Sequence, residues 1–141
     1  MILSAVLKLP TRLDSVVTAR HALDDLLNAA GVTEPVSWDL SVALTEACSN
    51  AVRHAPTGRS YEVTIHLADN CCRIEIRDQG PGFDPDHVEI PRIEDVGSRG
   101  LLLMRAVVDR LIFEALQPRG MKVTMVKSWD RGFGRGAATA R

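Results

Sequence analysis

The chain has 141 residues, 45% apolar and 25% charged, an ordinary globular balance that favours one domain. Its 17 Lys and Arg stand against 18 Asp and Glu, a net charge of −1 that gives no basic footprint for nucleic acid or an anionic membrane. No apolar run approaches the roughly 18 residues of a membrane span, and Met1 to Lys8 lacks a basic region ahead of its apolar stretch, so no signal peptide is expected.

In chain order, Ile2 to Leu9 reads as a first strand ended by Pro10. Leu13, Val16, Val17, Leu23, Leu27 and Ala30 keep the spacing of an amphipathic helix, and Gly31 is placed to end it. A second helix is predicted from about Pro35, a good first-turn residue, to about Ala55, where Pro56 stops it. Tyr61, Val63, Ile65 and Leu67 alternate as a strand, Asp69-Asn70 is a turn, and Cys72, Ile74 and Ile76 alternate again, which predicts a hairpin. Gly80 to Val96, rich in Gly, Pro and Asp, reads as a loop. Gly100 to Asp109 is predicted helical, and Leu111 to Leu116 and Met121 to Lys127 read as two strands around Pro118-Arg119-Gly120. Residues 1–129 are expected to form the domain, and 130–141, with Gly132, Gly134 and Gly136 interleaved with arginines, a flexible tail. The order β-α-α-β-β-loop-α-β-β implies an α+β sandwich, with helices on one face of a mostly antiparallel sheet.

Three segments carry residues suited to chemistry. In the second helix Glu46, Asn50 and His54 follow one another every four residues, a row that drifts about 40° per step from the solvent side into the apolar border. A carboxylate and an amide there need partners; the plainer reading is a solvated row paired with Arg53. Asp78 shares parity with Cys72, Ile74 and Ile76, so it points to the buried face at a strand's end, able to accept from a ligand's amino group or to open a turn with Gln79-Gly80. Gly80 and Gly82 allow close backbone approach. Gly97-Ser98-Arg99-Gly100, ahead of Leu101, is either a simple helix start or an anion-binding helix N-terminus. His21, His66 and His87 lack metal spacing, and no Walker-type phosphate loop is present. Cys48 is expected in the core, Cys71 and Cys72 on opposite faces of one strand, and Trp38 and Trp129 in packing roles. Three cysteines make no disulfide framework, and a reducing cytoplasm is the simplest compartment.

Taken in this order, Glu46-Ala47-Cys48-Ser49-Asn50 on a helix, Asp78-Gln79-Gly80-Pro81-Gly82 after a strand and Gly97-Ser98-Arg99-Gly100-Leu101 opening a helix resemble one family. It is the ATP-binding fold shared by gyrase, the heat-shock chaperone ATPases, histidine kinases and mismatch-repair ATPases. The run from Ala43 to Ala55 narrows the likeness to the stand-alone bacterial anti-sigma-factor serine/threonine kinases. The resemblance spans about residues 5–128 and implies a two-layer α/β sandwich of the Bergerat type, with ATP and Mg2+ as cofactors. It matches Glu46 to the general base, Asn50 to the magnesium ligand and Asp78 to the carboxylate that reads adenine. Gly80 and Gly82 match the glycines flanking the purine. Gly97 and Gly100, with Arg99 and Leu101 beside them, match the lid hinge and phosphate-contacting turn, and His54 the phosphate side. Arg20 matches a recurrent arginine on the helix that meets the protein partner.

The activity implied is phosphorylation of an anti-sigma-factor antagonist, with sequestration of a sigma factor, by a cytoplasmic homodimer that contacts neither nucleic acid nor membrane. Two departures favour the alternative, a non-catalytic nucleotide-binding module that regulates a partner by sequestration. The segment 82–97 is short and acidic for a nucleotide lid, and Gly120 is followed by Met121 where the family often has Thr.

Overall fold

Among the described residues, alternation of apolar and polar residues lays down five strands, and three amphipathic helices cover one side of them. The computed structural model describes residues 2–54, 59–80 and 98–130. The elements are β1 (Leu3–Pro10), α1 (Asp14–Ala29), α2 (Val36–His54), β2 (Ser60–Ala68), β3 (Cys71–Asp78), α3 (Ser98–Val107), β4 (Arg110–Ala115) and β5 (Met121–Ser128). The strands lie in the order β1-β2-β3-β5-β4, and all four pairings are antiparallel. The predicted order of elements and the helices-on-one-face architecture are both met.

Period-two burial fixes which side of the sheet is covered. Tyr61, Val63, Ile65 and Leu67 of β2 and Cys72, Ile74 and Ile76 of β3 are at most 1% exposed under the helices. Ala43, Leu44, Ala47 and Cys48 of α2 and Leu101 and Met104 of α3 meet them in one continuous core. Burial drives the Cys48 and Cys72 thiols up to about 12, so both are inert packing groups, while Cys71 turns to the other face. Inside this core the Tyr61 hydroxyl lies 2.7 Å from Ser15 Oγ, which donates to the Arg12 carbonyl.

The ends of the helices have identifiable causes. Gly31, at φ 74°, closes α1: its N–H donates to the Asn28 carbonyl and that of Val32 to Leu27, the paired bonds of a glycine-terminated helix. Pro10 is the last residue of β1, an edge strand where its missing N–H leaves no ladder bond unmade. The helix predicted to run to Asp109 stops at Val107, because the Asp109 N–H donates to the Val126 carbonyl and joins the sheet instead. Lys127, on the helix side of β5, donates to the Val107 carbonyl at 2.9 Å and lies 3.2 Å from Asp39 Oδ2, tying α3, α2 and the sheet together. One expectation fails: Trp129 is buried, but Trp38 is 64% exposed, because it stands on the side of α2 turned away from the sheet. The predicted tail beyond residue 130 lies outside the described residues.

Candidate active site

Every fourth residue of α2 from Trp38 to His54 forms one line along the helix: Trp38, Val42, Glu46, Asn50, His54. Glu46 is half-buried, Asn50 is 8% exposed and His54, the last residue of the helix, is exposed. The expected drift toward the core therefore reaches its deepest point at Asn50 and does not continue to His54, where the helix ends. The Asn50 amide oxygen accepts from the Arg53 guanidinium, so the predicted pairing with Arg53 is present, yet the amide is buried rather than solvated.

Three close approaches draw the predicted motifs together. At Gly100, in the first turn of α3, a Cβ would stand 2.5 Å from Glu46 Oε1, so the carboxylate lies against the backbone there. At Gly80 a Cβ would stand 2.7 Å from the His54 carbonyl and 3.2 Å from Asp78 Oδ1, which seats the end of β3 under the end of α2. At Gly120, whose φ is 109°, a Cβ would collide with the Asp78 carbonyl, so the β4–β5 turn supports the same aspartate from the other side. Close packing against backbone requires glycine at Gly80 and Gly120, and at Gly120 conformation does so as well, whereas at Gly100 the neighbour is the end of a flexible side chain.

Asp78 ends β3 with its side chain half-buried on the core face, and its Oδ1 accepts from the Gly80 N–H at 2.9 Å. Burial raises the pKa of this carboxyl, opposed by the N–H groups of Gly80 and Met121 and by the charge of His54. The turn reading is met, since Asp78 makes its bond to Gly80, and the side chain is also half-buried at a cleft. That cleft, of about 380 Å³, lies at the end of the sheet and is also lined by Tyr61, Leu116 and Arg119.

Glu46 opens onto a second cleft of about 660 Å³, lined among others by Arg20, Asp24, Glu34, Trp38 and Leu103. Asn50 lines neither cleft. Arg20, predicted on α1, thus shares a cavity with the predicted base. Arg99 is exposed, while Leu101 is 1% exposed, so its side chain belongs to the core. Gly82 and Gly97 lie outside the described residues. Sequence reasoning missed Trp38 as a surface feature. Extending the Glu46-Asn50-His54 row two steps upstream finds it.

Among the described residues no group of three or more His, Cys, Asp or Glu side chains is placed to hold a metal ion. One amide oxygen beside a carboxylate is a poor cage but suits Mg2+, which keeps waters and takes the rest of its shell from phosphates. No helix among the described residues is long and apolar enough to cross a membrane.

Residues 9–127 match the family described as the histidine kinase-like ATPase domain. The serine-protein kinase RsbW of Halalkalibacterium halodurans is 28% identical over 133 residues, covering 86% of this chain and 81% of that one. The serine-protein kinase RsbW of Listeria innocua is likewise 28% identical, over 134 residues, 86% of this chain and 84% of that one. Among solved structures, the RsbU and RsbW domains of a Mycobacterium tuberculosis protein superpose with a TM-score of 0.70 at 22% identity, covering 92% of this chain and 32% of that longer one. The histidine kinase AdeS of Acinetobacter baumannii superposes with a TM-score of 0.54 at 18% identity, covering 90% of this chain and 68% of that one. With more than half of its length matched, and with α2, the end of β3 and the start of α3 converging, the chain belongs to the histidine kinase-like ATPase domain family, which implies ATP as its ligand.

Proposed function

We propose that this chain is an ATP-dependent serine/threonine kinase that phosphorylates an anti-sigma-factor antagonist and, in the alternate arrangement, sequesters a sigma factor. The observation that carries the reading is the position of Glu46. One carboxylate lies against the first turn of α3 and also lines the cleft that holds Arg20 and Trp38. A general base for phosphoryl transfer has to reach both the nucleotide and the acceptor hydroxyl.

In this reading Asp78 accepts from the adenine amino group, and Gly80 and Gly82 bring backbone close to the ring. The start of α3, with Arg99 and Gly100, would face the phosphates through backbone N–H groups and one guanidinium, and Gly97 would precede it as the lid hinge. His54, whose carbonyl lies against Gly80, would line the phosphate side. Asn50 would hold Mg2+, which when bound supplies charge neutralisation to the triphosphate. Glu46 takes the proton from the attacking Ser or Thr hydroxyl, whose oxygen bonds to the γ-phosphorus as the bond to the β-phosphate oxygen breaks and ADP leaves. The relatives' name, serine-protein kinase RsbW, supports the choice of acceptor.

Arg20, with Trp38 and Leu103, would meet the protein partner at the mouth of the Glu46 cleft. A second copy would cover the open face of the sheet, where one cross-strand row runs Val6, Thr64, Glu75, Thr124 and Ile112 and leaves Val6 66% exposed. The cytoplasm is the matching compartment. A second reading, a nucleotide-binding module without transfer, is supported by Met121: it is 7% exposed and offers no hydroxyl beside Asp78.

The test is radiolabelled ATP with candidate antagonist proteins. Serine phosphorylation that disappears in Glu46→Ala, with nucleotide binding retained, supports the kinase. Binding without transfer to any antagonist selects the module.

A further inference from the structure

The oxygen assigned above to magnesium is already in use. Arg53, three residues on in α2, donates its guanidinium to Asn50 Oδ1, the spacing at which side chains on one helix face meet. Among the described residues no carboxylate forms an ion pair with Arg53, and its side chain is exposed. Among the described residues, the guanidinium is thus held by a neutral amide, on a long stem free to reorient. A guanidinium and a divalent cation bound to one carbonyl oxygen would repel each other at close range. The same guanidinium, released, stands within one turn of the place where a triphosphate is proposed to lie, and it is suited to phosphate oxygens.

Resting on the nucleotide reading of this site, we propose that Arg53 is a resident counter-cation that occupies Asn50 Oδ1 when metal is absent and yields that oxygen to metal when Mg–ATP binds. Arg53 then sets how strongly nucleotide affinity depends on the metal. Without metal its charge partly neutralises the triphosphate, so metal-free ATP still binds. With metal the charge is redundant, and releasing Asn50 from Arg53 offsets what remains of the phosphate contact.

The test is calorimetric ATP binding by the full chain, in excess Mg2+ and in EDTA, for the wild type, Arg53→Met and Arg53→Lys. Arg53→Met is expected to weaken metal-free binding about tenfold while changing affinity in Mg2+ by less than about twofold, by loss of one charge-assisted contact. Arg53→Lys is expected to recover most of the metal-free affinity. By linkage, Mn2+ followed by electron paramagnetic resonance should bind the ATP complex of Arg53→Met more tightly than that of the wild type, by the same factor. Equal changes in Mg2+ and in EDTA, or no change in either, overturn the proposal. Wild-type protein that binds no ATP under either condition overturns the nucleotide reading itself, and this inference with it.

Discussion

The backbone of Gly100 abuts the carboxylate of Glu46, so that a methyl group added at residue 100 would lie 2.5 Å from Oε1. The obstructing atom is the far end of a flexible side chain, which can swing aside. Gly100→Ala should therefore keep stability within about 1 kcal/mol but displace the proposed base, lowering phosphoryl transfer by about 100-fold. A double-mutant cycle checks the cause. In a Glu46→Ala background the stability cost of Gly100→Ala, measured by urea denaturation, should vanish.

Gly120 faces a harder obstacle. Its φ of 109° is unfavourable for any side chain, and the colliding atom is the backbone carbonyl of Asp78. Gly120→Ala is expected to destabilise the protein by about 2–4 kcal/mol, conformational strain plus a forced backbone shift. Gly31 is the control, at φ 74° with nothing within 4 Å of its added Cβ. Gly31→Ala should cost only about 1–2 kcal/mol. Because the shift at residue 120 falls on Asp78, Gly120→Ala should also weaken ATP binding, and Gly31→Ala should not.

Asp78 gives a pH signature. Burial raises its carboxyl pKa in the folded protein despite the Gly80 and Met121 N–H groups. The folded state therefore holds its proton to higher pH than the unfolded chain does. Its contribution to stability is full below the unfolded pKa and is lost as pH rises through the folded one. Asp78→Asn removes that loss, so the melting temperature of the variant relative to wild type should climb as pH rises through and above the ordinary carboxylate range and then level off. The same substitution should weaken ATP binding, since the amide offers one acceptor where the carboxylate offers two. A variant that is steadier at neutral pH and poorer at nucleotide binding is the expected pair of results.

The sheet was legible because β2 and β3 alternate cleanly, and burial on one face leaves no second register for Val63 or Ile74. The helix ends were less so. Asp109 leaves α3 for a bond to Val126, a partner seventeen residues on, which no local spacing announces. Asp78 could be read from parity, since it continues the buried row of its own strand. Its dependence on Gly120 could not, because the contact joins two turns brought side by side only by the β3–β5 pairing. Trp38 was misplaced for a related reason: hydrophobicity predicts burial, whereas its azimuth on α2 points away from the sheet. Leu101 follows the glycines in sequence, but its helical position turns its side chain to the core.

Lys127 connects stability to the site. Its side chain is 15% exposed, with one bond to the Val107 carbonyl and Asp39 Oδ2 at 3.2 Å. Lys127→Met leaves the carbonyl and the carboxylate without their cation, and should cost about 2 kcal/mol. The coupling with Asp39→Asn, measured by a double-mutant cycle, should be about 1 kcal/mol or less for so partial a burial. Since Val107 ends the helix that carries Gly100, looser docking of α3 should also slow transfer, with ATP affinity less affected.

Trp38 separates partner recognition from nucleotide chemistry. It is 64% exposed, shares its cleft with Arg20 and Leu103, and lies two helical steps from Glu46 on the same line of α2. Since its ring is not part of the core, Trp38→Ala should leave stability within about 0.5 kcal/mol. ATP affinity should be unchanged, because none of the described residues proposed to hold the nucleotide lines this cleft. An aromatic anchor at a protein contact is commonly worth 2 kcal/mol or more, so the KM for the antagonist protein should rise about 30-fold, with kcat retained at saturation. Arg20→Ala should act in the same direction, and the pair should be less than additive if both residues meet one segment of the partner. A Trp38→Ala protein that phosphorylates the antagonist with wild-type KM would remove this cleft from the recognition surface, and would leave the assignments of Glu46 and Asp78 standing.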